Sequence, residues 1–284
     1  MHLGIHVVRP PSTSAPAVLQ ASARAAEALG YRSLWVGDRL IEGEAGHRAE
    51  GRSLDALATL AYVAASTERV RLGTNVLSGA WYPPALLARS LATVDQLSRG
   101  RLTIGLGGSP SEEEGAAAGI GGADPEALLD ELLAALDAAW GPEPVRHEGA
   151  RTRLDGRGPG PLPVQQPRPP ILLTGSSPAA LERVGRSGDG WHAAPTDPDD
   201  LAAGWRRVQA AAAGAGRDPE ALALVVRVGV GGAADAGEVA RQVADLARLG
   251  ATEVILEAAA DLGLDAALGR YAEVAEAVEL QAIA

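Results

Sequence analysis

Residues 68–108 read ERVRLGTNVLSGAWYPPALLARSLATVDQLSRGRLTIGLGG, and this stretch decides the fold class of the chain. Its first part, Val70–Val76, is predicted to be a strand, and a helix is predicted from Pro84 to Leu97. A second strand follows at Leu102–Leu106. The stretch therefore predicts one strand–helix–strand unit of an α/β fold.

The same alternation continues along the chain on both sides of this unit. Six further strands are predicted, at Leu3–Val8, Ser33–Val36, Ile171–Leu173, Gly190–Ala193, Leu222–Val228 and Glu253–Leu256. The central ones are continuous apolar runs such as ALVVRVGV, which is typical of parallel strands covered on both faces. Eight strands, each followed by a helix, predict a (β/α)8 TIM barrel, with a doubly wound open sheet as the alternative.

Length and composition indicate the domain organisation. The chain has 284 residues, of which 46% are hydrophobic, and its composition shows no break, so we expect one barrel domain over 1–284. Proline and glycine are concentrated in 141–170, after the fourth strand, and this connection is too long for an ordinary loop. We expect an excursion or a lid-like insertion here, and the alternation in Val145–Leu154 predicts a small hairpin within it.

Charge and residue usage exclude several functions. The net charge of −11 argues against nucleic acid and against an anionic membrane as partners, because both require a basic face. The chain has no cysteine and no lysine, so thiolate, disulfide and lysine Schiff-base chemistry are excluded. The first ten residues, MHLGIHVVRP, lack the pattern of a signal peptide, and we expect a cytoplasmic protein.

Two segments rich in small residues lie after predicted strands, where TIM barrels carry their function. In ILLTGSSP a strand leads into Gly175, Ser176 and Ser177 and then into a helix, whose N–H groups and dipole favour a phosphate. An ordinary turn capped by Ser177 is the alternative. In TIGLGGSP, Gly107 and Gly108 end the fourth strand, where either a flat ring approaches the backbone or a tight turn needs positive φ.

Four side chains are candidates for chemistry. Asp38 and Arg39 follow the second strand; Asp38 would contact a cofactor ring and Arg39 the substrate, unless the two form an internal ion pair. His6 lies on the first strand and His192 at the end of the sixth, and both are candidate proton donors. The histidines lack metal-site spacing, so no metal is expected. The acidic run Glu112–Glu114 is expected to be a solvated face or a helix start.

Five segments in register resemble the luciferase-like monooxygenase superfamily, particularly its branch that uses the deazaflavin coenzyme F420. They are LGIHV, GYRSLWVGDR, the run from ERVRLGTNVLSG to GRLTIGLGG, PVQQPRPPILLTGSSP and GRSGDGW, and together they cover nearly the whole chain. The resemblance implies a TIM barrel with an insertion after the fourth strand. It also implies F420, or alternatively FMN, as the cofactor, and a homodimer is expected because such relatives are often dimers.

The resemblance further implies roles for individual residues. Family members often have a cis peptide bond in a bulge of the third strand, which corresponds here to Asn75–Val76 and would support one face of the cofactor ring. The other residues that correspond to cofactor contacts are Asp38, Gly107 and Gly108 for the ring and Gly175, Ser176 and Ser177 for the phosphate.

Two departures from the family pattern bear on the reaction. Members that oxidise sugars or alcohols tend to have a histidine directly after the aspartate and a glutamate after the fourth strand, where this chain has Arg39 and Pro110. The leading hypothesis is therefore hydride transfer from reduced F420 to an activated C=C or C=N bond of a small molecule. The alternatives are an FMN-dependent monooxygenase, which would need a flavin reductase as partner, and a non-catalytic flavin-binding barrel.

Overall fold

Strands and helices alternate along the computed structural model of the chain, which describes residues 1–7, 16–41, 54–107, 110–194, 197–231, 235–259 and 262–279. The strands are β1 (His2–His6), β2 (Ser33–Val36), β3 (Arg71–Thr74), β4 (Leu77–Ser78), β5 (Leu102–Gly107), β6 (Val145–Glu148), β7 (Arg153–Gly156), β8 (Ile171–Leu173), β9 (Gly190–Ala193), β10 (Ala223–Val230) and β11 (Glu253–Ala258). The helices are α1 (Pro16–Ala28), α2 (Ala56–Ala64), α3 (Pro84–Leu97), α4 (Glu112–Ala117), α5 (Pro125–Ala139), α6 (Pro178–Ser187), α7 (Pro198–Gly214), α8 (Ala236–Leu249) and α9 (Leu264–Ala277). Short 3-10 turns lie at Gly79–Trp81 and Pro219–Ala221.

The main sheet closes on itself. Its order is β3-β2-β1-β11-β10-β9-β8-β5-β4, and β3 also pairs in parallel with β5, where Leu72 lies opposite Leu102. Because β4 is a two-residue continuation of β3, the described strands form an eight-stranded parallel barrel with helices between them. The chain is a (β/α)8 TIM barrel, as predicted, and not an open sheet.

One large aromatic side chain fills the middle of the barrel. Trp35 on β2 is 1% exposed and packs with Leu172, Val225 and Ile255. Gly73 on β3 leaves room for it, because a Cβ at that position would lie 2.2 Å from the indole ring. The larger apolar cluster lies outside the barrel, between the strands and the helices.

Element boundaries differ from the predictions at the third strand and at the start of α2. The third strand ends at Thr74, and the cis peptide bond between Asn75 and Val76 separates it from β4, which confirms the cis bond implied by the resemblance. The sequence SLDALATLAYVAA predicts a helix from a cap at Ser53 to about Ala65. The cap of α2 is instead Asp55, whose carboxylate accepts a hydrogen bond from the third residue of the helix at 2.7 Å. Ser53 and Val8, the predicted end of the first strand, lie outside the described residues.

The insertion at 141–170 begins with the predicted hairpin, in which β6 and β7 pair antiparallel. The segment that follows is fixed at the amino-terminal end of the barrel, where Gln165 Nε2 donates to the carbonyl oxygen of Leu102, the first residue of β5, at 2.7 Å. The prediction of a lid-like position is therefore wrong for this segment. It leads to the start of β8 and so lies at the amino-terminal ends of the strands, opposite their carboxyl-terminal ends. Only the hairpin extends back, and Arg151 Nη1 donates to Ala80 O at 3.1 Å.

Candidate active site

The alternation of side chains along the strands places a ring of residues at the carboxyl-terminal mouth of the barrel. Leu172, Val225 and Ile255 face the interior beside Trp35, so residues two positions later on the same strands face the mouth. These positions are Thr174, Arg227 and Glu257. Asn75 and Gly107 likewise lie two positions after the inward-facing Gly73 and Gly105, and His6 and His192 face the interior with their pairing partners Trp35 and Val225. TIM-barrel enzymes place their active sites at this end.

Asp38 is hydrogen-bonded to a tyrosine that sequence analysis did not single out. Tyr82, directly after the turn Gly79–Trp81, donates its hydroxyl to Asp38 Oδ2 at 2.8 Å. Arg39 is exposed, and the structure, which describes both residues, contains no ion pair between Arg39 and Asp38. The alternative of an internal Asp38–Arg39 ion pair is therefore not supported.

The surroundings of Asp38 make its charged form unfavourable. Burial raises the pKa of Asp38 to about 6, the carboxylates of Asp55 and Glu114 also raise it, and the Tyr82 hydrogen bond opposes the change. Burial and the charge of Asp38 together raise the pKa of Tyr82. A carboxyl group that titrates just below neutral pH in a barrel mouth can hold or release a proton during a reaction.

Glu114 connects two loops at the mouth. Helix α4 begins with a capping box formed by Ser111 and Glu114, so the acidic run is a helix start, as expected. However, Glu114 is 4% exposed rather than part of a solvated face, and its Oε1 accepts from Leu40 N at 3.2 Å. Its Oε2 accepts from Ser111 N at 3.1 Å. Because backbone N–H groups use both oxygens, Glu114 does not replace the glutamate that is missing at Pro110.

Gly107 has a structural reason to be glycine. Its φ is +146°, and a Cβ there would lie 2.4 Å from Thr174 Cγ2. The backbone conformation and the adjacent threonine methyl both require glycine, which agrees with the tight-turn alternative. Contact of Gly107 with a cofactor ring stays a prediction, and Gly108 lies outside the described residues.

The turn between β8 and α6 is fixed by a side-chain hydrogen bond, and two of its backbone N–H groups make no hydrogen bond within the described chain. Gly175 has φ +134°, and Trp191 Nε1 donates to its carbonyl oxygen at 3.0 Å. Ser177 is the N-cap of α6, since its hydroxyl accepts from Ala180 N at 3.2 Å. Ser176 and Ser177 are exposed, and within the described chain their N–H groups make no hydrogen bond. The capping alternative holds, and phosphate binding at this turn stays a prediction that the open N–H groups favour.

His192 and His6 lie in the mouth beside Trp35. His192 is 3% exposed, and its ring meets the Trp35 ring at 5.6 Å between centroids in an edge-on arrangement. Burial lowers the pKa of His192 to about 4, and electrostatic interactions with Arg227 and His6 lower it as well. His192 is therefore neutral at pH 7. His6 is 4% exposed, and its Nδ1 lies 2.9 Å from Val7 O.

An ion pair in the mouth was missed by sequence analysis. Arg227 Nε lies 3.2 Å from Glu257 Oε2, and the two side chains are 32% and 31% exposed. Both residues belong to apolar runs, ALVVRVGV and EVILEA, which were interpreted only as buried strands. A single charged residue within such a run was the available signal, because charged residues are almost never fully buried unless they are paired.

The mouth contains buried polar atoms without a hydrogen-bond partner among the described residues. Asn75 Nδ2 and His192 Nε2 make no hydrogen bond with any described residue, although Asn75 is only 7% exposed. Buried polar groups in proteins are nearly always paired, so unpaired groups at a barrel mouth indicate a place for a ligand.

Comparison with known proteins assigns the chain to a family. The model of the luciferase-like monooxygenase family matches residues 3–283. An uncharacterised protein of Mycobacterium tuberculosis is 30% identical over 270 residues, covering 90% of this chain and 91% of that protein. The F420-dependent hydroxymycolic acid dehydrogenase of the same organism is 34% identical over 210 residues, covering 72% of this chain and 56% of that protein.

A solved structure supports the same fold. The F420-dependent secondary alcohol dehydrogenase, determined in complex with an F420–acetone adduct, superposes with a TM-score of 0.83 at 18% identity over 98% of both chains. The chain belongs to the luciferase-like monooxygenase family and is an enzyme of the oxidoreductase class. No helix in the described part of the chain is long and apolar enough to cross a membrane.

Proposed function

We propose that this chain is an F420-dependent oxidoreductase that transfers a hydride between reduced F420 and an activated C=C or C=N bond of a small molecule. The observation that carries the proposal is the presence of buried, unpaired polar atoms on two sides of one mouth, Asn75 Nδ2 and His192 Nε2. A cofactor and a substrate bound together would satisfy both atoms. When bound, the deazaflavin supplies the hydride from C5 of its ring.

One side of the mouth fits the cofactor. The residues that would line the ring are Asp38, Asn75, Val76, Gly107 and Gly108, and those that would hold the phosphate are Gly175, Ser176 and Ser177. They belong to β2, β3, β5 and β8 and the segments that follow these strands, which are consecutive in the barrel. The open N-terminus of α6 favours a phosphate, and the Asn75 amide can donate to an oxygen or nitrogen of the ring.

The residues present favour reduction over alcohol oxidation. The similar proteins include dehydrogenases named for hydroxymycolic acid and for secondary alcohols. This chain has Arg39 and Pro110 where the family resemblance implies an acid–base pair in members that oxidise alcohols. Glu114 does not take over, because backbone N–H groups use its oxygens. His6 remains a candidate proton donor, neutral His192 is suited to donate a hydrogen bond to an oxygen of the substrate, and Arg39 is suited to clamp an oxygen rather than to act as an acid.

The second candidate function is an FMN-dependent monooxygenase supplied with reduced FMN by a separate reductase. The family to which the chain belongs is described as luciferase-like monooxygenase, which favours oxygenation without naming the cofactor. Both cofactors carry a flat ring and a phosphate, so the same residues would hold either. The two functions differ in chemistry, since a deazaflavin lacks the nitrogen at position 5 that supports reaction with oxygen.

Titration of the purified apoprotein with oxidised F420 and, in parallel, with FMN tests the proposal by fluorescence. We expect F420 to bind more tightly than FMN. Asn75→Ala should weaken the preferred cofactor, whereas Thr93→Ala on the exposed side of α3 should not, because that hydroxyl bonds only within its own helix. Preferential binding of FMN would support the monooxygenase, and binding of neither cofactor would contradict both functions.

A further inference from the structure

The barrel order separates the mouth into two sides of different chemistry. The residues assigned to the cofactor belong to β2, β3, β5 and β8 and their loops. The remaining consecutive strands, β9, β10, β11 and β1, present His192, Arg227, Glu257 and His6 to the same mouth. The side of the mouth formed by β9, β10, β11 and β1, which is not assigned to the cofactor, thus carries two charged and two imidazole side chains.

The groups on this side lie close enough to affect one another. Arg227 and His6 lower the pKa of His192, and Glu257 raises it, so the four groups interact electrostatically. The His192 ring rests edge-on against Trp35, which is itself fixed by a hydrogen bond from its Nε1 to Ser33 Oγ at 2.6 Å. His192 is 3% exposed, and its Nε2 makes no hydrogen bond among the described residues.

Arg227 retains binding capacity despite its ion pair. Its contact with Glu257 at 3.2 Å involves Nε, but the geometry is not that of a hydrogen bond. No hydrogen bond from its Nη1 or Nη2 to a described residue is present, and its side chain is 32% exposed to the mouth. A guanidinium with free Nη groups matches the two oxygens of a carboxylate or the oxygen of a carbonyl.

We propose that Arg227, His192 and Glu257 form the substrate-binding side of the mouth, and that they bind a carbonyl or carboxylate oxygen conjugated to the carbon that accepts the hydride. This inference rests on the proposed function for the identity of the reductant. Arg227 binds the substrate oxygen through its Nη groups, Glu257 pairs by charge with the Nε edge of the guanidinium, and neutral His192 offers one further hydrogen bond at Nε2. The substrate class is therefore an α,β-unsaturated carbonyl or carboxyl compound.

The reaction balances with these groups. Hydride addition forms a C–H bond at the β-carbon and breaks the C=C π bond, and the electron pair moves to the conjugated oxygen. The Arg227 guanidinium stabilises the negative charge that develops there. A proton from solvent then adds to the α-carbon and restores the C=O bond. The substrate gains two electrons and two hydrogens, and the reduced deazaflavin loses one hydride.

Calorimetric titration with trans-cinnamate and with cinnamyl alcohol tests the inference, on the protein without cofactor and with F420. The two probes share a conjugated C=C bond and differ in the oxygen group. The wild-type protein should bind cinnamate about tenfold more tightly or better, the effect of one charge-assisted hydrogen bond. Arg227→Gln should remove this preference, and Arg227→Lys should keep part of it. The control is Arg248→Gln, which alters an exposed helix arginine paired with Asp245.

A second variant changes binding in the opposite direction. Glu257→Gln removes the negative charge beside Arg227, so it should strengthen cinnamate binding. It is the deciding variant if Arg227→Gln fails to fold, and an unchanged cinnamate affinity would then overturn the inference. No preference for cinnamate in the wild-type protein, or the same preference in Arg227→Gln, would overturn the inference. Failure of F420 to bind would contradict the proposed function instead, while the cinnamate result on the cofactor-free protein would still decide the role of Arg227.

Discussion

Asp38 is a carboxyl group whose ionised form the fold disfavours. The pKa of Asp38 is raised from 3.8 to about 6, mainly by burial. The folded protein therefore gains stability from protonated Asp38 that is fully present below pH 3.8 and is lost as the pH rises through 6. A shift of this size corresponds to about 3 kcal/mol of folding free energy at pH 8. The protein retains a destabilising carboxylate at the position where the cofactor ring is expected, as is common for functional groups.

Replacing this carboxyl group should therefore separate stability from function. Asp38→Asn should raise the free energy of unfolding in urea by about 1–3 kcal/mol at pH 8 and by less at pH 5. The same variant should weaken cofactor binding or turnover. The control, Glu113→Gln, changes an exposed carboxylate of α4 and should alter neither quantity. An Asp38→Asn protein that is less stable than wild type at pH 8 would contradict the assignment.

Tyr82 sets how far the Asp38 pKa is shifted. Its hydroxyl donates to the carboxylate at 2.8 Å and lowers the Asp38 pKa against the effect of burial. Tyr82→Phe should therefore raise the Asp38 pKa above its wild-type value of about 6. Carbon-13 NMR titration of the carboxyl resonance measures this, with Asp38→Asn used to assign the signal. An unchanged pKa would mean that water replaces the hydroxyl.

At the scale of elements, the start of α6 combines a capping residue with a predicted phosphate site. Ser177→Ala removes the side-chain oxygen that accepts from Ala180 N, so it should cost about 1 kcal/mol in a urea unfolding experiment. Ser176→Ala removes no cap and should leave stability within about 0.5 kcal/mol of wild type. If the turn binds the cofactor phosphate through backbone N–H groups, inorganic phosphate should compete with F420 in folded Ser176→Ala as it does in wild type. Absence of competition in both proteins would remove the turn from the cofactor site.

The return segment of the insertion is a structural element rather than part of the site. Asp95 on α3 is fully buried and accepts hydrogen bonds from Val164 N at 2.7 Å, Gln165 N at 3.0 Å and Gln165 Nε2 at 2.8 Å. Asp95→Ala leaves these donors without their acceptor and should lower the free energy of unfolding by about 2–4 kcal/mol. Thr93→Ala on the same helix is the matched control. F420 affinity measured below the unfolding transition should equal that of wild type, and a large loss would place the segment near the cofactor.

For the whole molecule, the two sides of the barrel mouth should bind independently. His192→Gln and Arg227→Gln lie on the proposed substrate side, so they should change the F420 dissociation constant by less than about twofold. Asn75→Ala on the other side should raise it by about tenfold, the effect of losing one buried hydrogen bond. Fluorescence titration of the three variants provides the comparison. If His192→Gln weakens F420 as much as Asn75→Ala does, the division into two sides is wrong.

The amino-acid sequence by itself determined the barrel and the location of its mouth. Apolar strands alternate with helices whose starts carry proline or a capping residue, and these signals are local, so they can be recognised without knowledge of contacts. The hairpin after α5 and the bulge at Asn75–Val76 were also predicted, the second from family resemblance. The boundaries that differed, at α2 and at the third strand, depend on which of several neighbouring residues forms the cap or ends the pairing.

Only the tertiary structure decided which polar groups meet. Tyr82 reaches Asp38 from 44 positions along the chain, Glu114 reaches Leu40 from 74 positions, and Arg227 pairs with Glu257 on the adjacent strand. Barrel closure brings these residues together, because it places the carboxyl ends of strands far apart in sequence around one mouth. The pKa values of Asp38 and His192 likewise follow from burial and from the charges around them, which a linear pattern does not contain.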